Sequence, residues 1–142
     1  MTEARKISPS QWRLAARWFE RADGDVRIAR AILMHEADTL WGAALHCQQA
    51  VEKIAKGILI AFGTRPPQTH NIEVLAGLVR QHHLASGDQI DALAALTSWY
   101  FVARYPSGME ESLPVAAEIN SAIERLQILR SQLESLTPAP RA

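Results

Sequence analysis

Between Thr39 and Phe62 the apolar residues Leu40, Ala44, Cys47, Val51, Ile54, Ile58 and Ala61 recur every three or four positions, and Gly63 follows as a stop. That spacing lines one face of a helix and is incompatible with the every-second-residue alternation of a half-buried strand. A long helix with a broad apolar stripe needs other helices or a sheet to cover it, and strand alternation is absent elsewhere too.

The flanking segments supply helices. Ser8-Pro9-Ser10-Gln11 offers a capping serine, a proline at the first helical position and Gln three residues after the cap. From there Trp12, Ala15, Ala16, Phe19, Ala22, Val26, Ala29, Ile32 and Leu33 trace one buried face. Asp23-Gly24-Asp25 interrupts this pattern, and the glycine costs about 1 kcal/mol relative to alanine, so one long, bent helix is expected. Arg65-Pro66-Pro67 forces an extended connection, after which Asn71 caps a third helix carrying Ile72, Leu75, Leu78 and Val79. Ser86-Gly87-Asp88-Gln89 reads as a capping box opening a fourth helix through Ile90, Leu93, Leu96 and Phe101, ended by Arg104-Tyr105-Pro106. Ser112 and Pro114 precede a fifth, striped by Val115, Ile119, Ala122, Ile123, Leu126, Leu129, Leu133 and Leu136. The expected fold is all-α, an up-and-down bundle of about five helices, four long and one shorter. It spans residues 9–136, between a disordered N-terminal segment (1–8) and a flexible tail (137–142).

Composition narrows the class. At 142 residues the chain can bury roughly 70% of its unfolded surface, so it folds without a metal or disulfide staple. Its lone Cys47 fits a reducing cytoplasm, the expected location. Fifteen Lys and Arg balance fifteen Asp and Glu, which excludes a polycation acting through its overall field; an anion site must be local. No apolar run approaches the ~20 residues of a membrane span, and no secretory leader is expected in Met1–Lys6.

Three ordered motifs then carry a resemblance. His46-Cys47-Gln48-Gln49-Ala50-Val51-Glu52-Lys53-Ile54-Ala55-Lys56-Gly57, Pro66-Pro67-Gln68-Thr69-His70-Asn71 and Ala103-Arg104-Tyr105-Pro106 resemble the HEPN domain, the higher eukaryotes and prokaryotes nucleotide-binding family. Trp18, Ala22, Asp25, Ala29 and Leu33 are similar to its opening pattern, so the likeness covers roughly residues 9 to 134. The resemblance implies a homodimer of helical bundles that binds nucleotides or RNA, often beside a small nucleotidyltransferase in two-gene toxin and antitoxin systems. Ribonuclease members carry Arg, a gap of four to six residues, and His. Counted from Arg104, those positions hold Met109, Glu110 and Glu111, and no histidine follows His83. An ionised carboxylate repels phosphate and is poorly matched to proton transfer near neutral pH, so a non-catalytic module is expected. The alternatives are a metal-independent ribonuclease toxin with a degenerate site and a purely structural adaptor.

The expected phosphate-binding residues are Lys53, Lys56, His70, Arg104 and Tyr105. Arg104 offers a planar, permanently charged fork for phosphate oxygens, or it satisfies the last carbonyls of its helix. Tyr105 can stack on a base or complete the core. Gln49, Lys53 and Lys56 share a helix face, where Glu52 and Lys56 also form a favourable i,i+4 pair that in solvent is worth ~0.3 to 0.5 kcal/mol. His70 precedes a helix start whose N–H groups can receive an anion, or it supports the turn. His35 and His46 have no partner at a metal-binding spacing, and adjacent His82 and His83 diverge on a helix, so neither metal nor cofactor is expected.

Overall fold

The computed structural model describes residues 7–35, 37–99 and 114–138. Among these, the regular structure is helical and contains no strand. The helices are α1 (Pro9–His35), α2 (Leu40–Ala61), α3 (Ile72–Arg80), α4 (Ser86–Asp91) and α5 (Ala116–Gln132), with short 3-10 turns at Ala37–Thr39 and Leu133–Leu136. The all-α bundle expected from periodicity is the observed architecture. Arg104, Tyr105 and Pro106 lie outside the described residues, as do positions 1–6 and 139–142 of the expected loose ends.

Local chemistry sets the ends of the helices. Ser8 and Gln11 form the reciprocal box that their spacing predicts: Gln11 N–H donates to Ser8 Oγ at 3.2 Å and Ser8 N–H to Gln11 Oε1 at 3.4 Å. Gly63 adopts φ +76°, Gly63 N–H reaches the Ile60 carbonyl and Thr64 N–H the Leu59 carbonyl, a Schellman closure of α2. Asn71 caps α3, its Oδ1 accepting Val74 N–H at 3.1 Å.

α1 and α2 form an antiparallel hairpin. Ile32 lies beside Gly42, Asp25 bonds His46 and Lys53, Phe19 lies beside Gly57 and Gln11 beside Gly63, so rising numbers on α2 meet falling numbers on α1. Asp23-Gly24-Asp25 does not break α1. Asp23 accepts from Arg130 and Asp25 from α2, so both carboxylates are satisfied outside the helix backbone and do not compete for it.

α2 is the central element and contacts α1, α3 and α5. Its burial is therefore nearly all-round: beyond its first two residues it is half-exposed only at Leu45, His46, Gln49, Lys53, Lys56 and Ile60. Its buried apolar side chains join Phe19, Leu75, Val79, Ile90, Ile119, Leu126 and Leu129 in one core.

The fourth helix departs from expectation. α4 stops at Asp91, and Leu93, Ala94, Leu96 and Thr97 donate instead to carbonyls three residues back, with helix resuming over 96–99. Ser86 is not its cap. The N–H groups of Asp88 and Gln89, which a Ser86 cap would have received, already reach the Ala85 carbonyl, so Ser86 lies within the first turn.

Candidate functional site

Two buried carboxylates organise the half-exposed stripe of α2. Asp25, on α1, accepts from His46 Nδ1 at 2.8 Å through Oδ1 and from Lys53 Nζ at 2.6 Å through Oδ2. Glu52, on α2 itself, accepts from Lys56 Nζ at 2.7 Å, Gln48 Nε2 at 2.7 Å and His70 Nδ1 at 3.0 Å. The same unit is thus built twice along one helix: a carboxylate out of water, holding one lysine ammonium and one imidazole.

The sequence explains the geometry. Lys53 follows His46 by seven residues, two helical turns, so both project towards α1, where Asp25 waits three residues after Ala22 and four before Ala29 on the packed face. Gln48, Glu52 and Lys56 follow one another at i,i+4, which stacks their side chains in order along α2. His70 arrives from the loop that Pro66 and Pro67 hold extended.

The Glu52–Lys56 pair is not the solvated surface pair that its spacing alone suggests. Its side chains are only 10% and 13% exposed, because His70 and Gln48 crowd the same carboxylate. Burial pushes the Glu52 carboxyl up, but the hydrogen bonds from Lys56, His70 and Gln48 outweigh that and hold it below the ordinary glutamate range. Gln48 is fully buried; its amide nitrogen serves Glu52, and its Oε1 has no partner among the described residues. Cys47, also buried, has its thiol pushed up to about 12 by burial and then by the Asp25 charge, so it is an inert apolar filler.

The structure brings Lys53, Lys56 and His70 together on this face. His70 does so by a different route from the helix-terminus reading, since its ring turns to Glu52. The start of α3 is already occupied: Thr97 Oγ1 accepts Ile72 N–H at 3.0 Å, Asn71 accepts Val74 N–H, and Glu73 adds negative charge. Sequence reasoning missed Asp25, Gln48 and His46 as members of the cluster. The available signal was an acid at a buried-stripe position of α1, whose charge requires a partner from a neighbouring helix.

Other features do not extend the site. His82 stacks on Phe62 at 4.7 Å and meets Thr64 Oγ1 at 3.1 Å, tying the loop after α2 to the end of α3. A groove of about 420 Å³ between α1 and α5 is floored by Ala22, Val26, Ile54 and Leu126. There Arg130 donates to Asp23 at 3.0 Å and Glu134 at 3.2 Å, with its guanidinium 5.4 Å above the Phe19 ring. Of the sequence-predicted site residues, the described ones, Lys53, Lys56 and His70, do not line it. Among the described residues no three His, Cys, Asp or Glu side chains converge as metal ligands, and no helix is long and apolar enough to cross a membrane.

No curated protein and no solved structure matches the chain. A family does: the match to the HEPN domain runs over residues 15–135, taking in α1 from its second turn, the whole polar stripe of α2, the His70 loop and α5. The chain therefore belongs to the HEPN domain family.

Proposed function

We propose that this chain is a non-catalytic module that binds the phosphate groups of a nucleotide or RNA through Lys53, Lys56 and His70, joined by Arg104 and Tyr105. It works as a homodimer beside a small nucleotidyltransferase, in a system of the toxin and antitoxin kind. The partner and the dimer rest on family membership alone; the phosphate site rests on one observation besides. Lys53 and Lys56 are fixed by buried carboxylates on the one stripe of α2 that reaches solvent. A free lysine loses up to about 2 kcal/mol of rotamer entropy when it is ordered, and here that cost falls on folding and not on binding. Each ammonium has three donors, so donors beyond the carboxylate bond remain for phosphate oxygens. Asp25 and Glu52 offset the charge of the two lysines, so aimed N–H groups, rather than a net field, hold the ligand. Without a histidine four to six residues after Arg104, the face lacks the family's proton-transfer group, and binding is its role.

The test is equilibrium binding of ATP and of a labelled oligouridylate to the purified protein. Lys53→Gln and Lys56→Gln are each expected to weaken binding about tenfold, the worth of a charged hydrogen bond, with helical content unchanged by circular dichroism. Parent-like affinity in both variants overturns the site. Cleavage of the RNA by the parent protein, abolished in Arg104→Ala, replaces the reading with a ribonuclease.

A further inference from the structure

His46 has no part in the phosphate site proposed above, yet its setting repeats that of His70. Both imidazoles bond a buried carboxylate through Nδ1, and each carboxylate also holds a lysine. Because a carboxylate only accepts, His46 Nδ1 carries the hydrogen, which fixes the ring and leaves Nε2 as its second functional atom. No described residue bonds Nε2, and the side chain is 27% exposed beside Lys53. Charge balance does not require this imidazole. Lys53 already neutralises Asp25 at 2.6 Å, so the Asp25–Lys53–His46 cluster is neutral with a neutral ring and carries one positive charge with a protonated one.

We propose that His46 is a further phosphate-contacting residue of this face, with Asp25 as the positioning residue that turns its Nε2 outward. The inference rests on the phosphate-binding reading above. An anion arriving beside Lys53 favours the imidazolium, whose Nε2–H donates to a phosphate oxygen while Nδ1–H stays on Asp25; ligand uptake on this face is accordingly coupled to proton uptake. The charged groups bonded to the pair are Asp25 from α1 and Lys53 from α2; neighbouring Cys47 stays a neutral thiol. The second unit, Glu52 with Lys56 and His70, supplies a parallel but separate coupling.

Titration calorimetry with ATP, run at pH 6 and pH 8 in buffers of different ionisation enthalpy, tests this. The parent protein should take up protons on binding and bind more tightly at the lower pH. His46→Gln should lose about tenfold in affinity at pH 6, change little at pH 8, and take up fewer protons, while His70→Gln retains the share due to His46. Asp25→Asn should reproduce the loss of coupling; should it fail to fold, the imidazole nitrogen resonances of the parent protein serve instead, with His46 Nε2 shifting on ATP addition. Parent-like affinity and proton uptake in His46→Gln overturn the assignment of His46 and leave the site standing. Absence of ATP binding by the parent protein at either pH overturns the phosphate-binding reading and this inference with it.

Discussion

Lys53 Nζ lies 2.6 Å from Asp25 Oδ2, joining two side chains 28 residues apart across the α1–α2 hairpin. The bond fixes the register of the two helices as much as it fixes the lysine. A buried carboxylate left alone costs several kcal/mol, and of the described side chains only His46 and Lys53 bond this one. A slip of one residue along α2 would carry both cations about 100° around the helix and strand Asp25 among Ala22 and Ala29. Polar specificity of this kind complements the apolar stripe, which by itself tolerates several registers.

Close approach of the same two helices makes Gly57 irreplaceable. A Cβ at this position would lie 2.6 Å from Phe19 Cε1 and 3.1 Å from Trp18 Cβ, and the latter cannot swing away without moving the backbone of α1. Gly57→Ala should therefore destabilise the protein by about 1–3 kcal/mol despite the better helix propensity of alanine. Gly77 in α3 provides the control, since nothing stands within 4 Å of its Cβ position. Gly77→Ala should stabilise by about 0.5–1 kcal/mol, and urea denaturation midpoints for the two variants should move in opposite directions.

Much of this fold is legible in the sequence, because caps and stripes are local. Ser8 with Gln11, Gly63 and Asn71 each mark a helix end by chemistry contained within a few residues. α4 was not legible: Ser86 has the right neighbours, but the preceding turn had already supplied carbonyls to the N–H groups that a serine cap needs. The candidate site divides the same way. Lys53, Lys56 and His70 stand out as polar residues in recognisable strings, whereas Asp25 and His46 acquire meaning only when two distant stretches of chain are laid side by side. No spacing rule within one helix announces a carboxylate that serves another.

Cys47 tests whether the polar stripe is as tightly closed as its geometry indicates. The residue sits one position from His46 and is fully buried, with its thiol raised to about 12 by burial and by the Asp25 charge. Near neutral pH almost none of it is the reactive thiolate, and reagent can reach it only through opening of the hairpin. The folded protein should therefore remain unlabelled by a thiol-specific disulfide reagent while the urea-unfolded protein reacts at once. Rapid labelling of the native protein, at the rate of a free cysteine, would show that α1 and α2 separate readily.

Glu52 should control stability in acid. Its folded carboxyl titrates below its ordinary value of 4.5, because the bonds from Lys56, His70 and Gln48 overcome the upward push of burial. The unfolded chain therefore binds its proton first as pH falls. A depressed folded value contributes stability that is fully present above the unfolded one and is lost as pH drops through the folded one, so the loss lies below pH 4.5. Glu52→Gln removes the charge but keeps the shape. It should cost about 3 kcal/mol or more at neutral pH, where Lys56 loses its buried counter-ion, and should flatten the acid limb of stability against pH. Urea unfolding of parent and variant from neutral pH down to about pH 3 reads both effects, and the gap between their curves should narrow as pH falls below 4.5 and the parent carboxyl begins to take up its proton. Parallel curves over the whole range would mean that Glu52 is no better paired in the folded protein than in the unfolded chain.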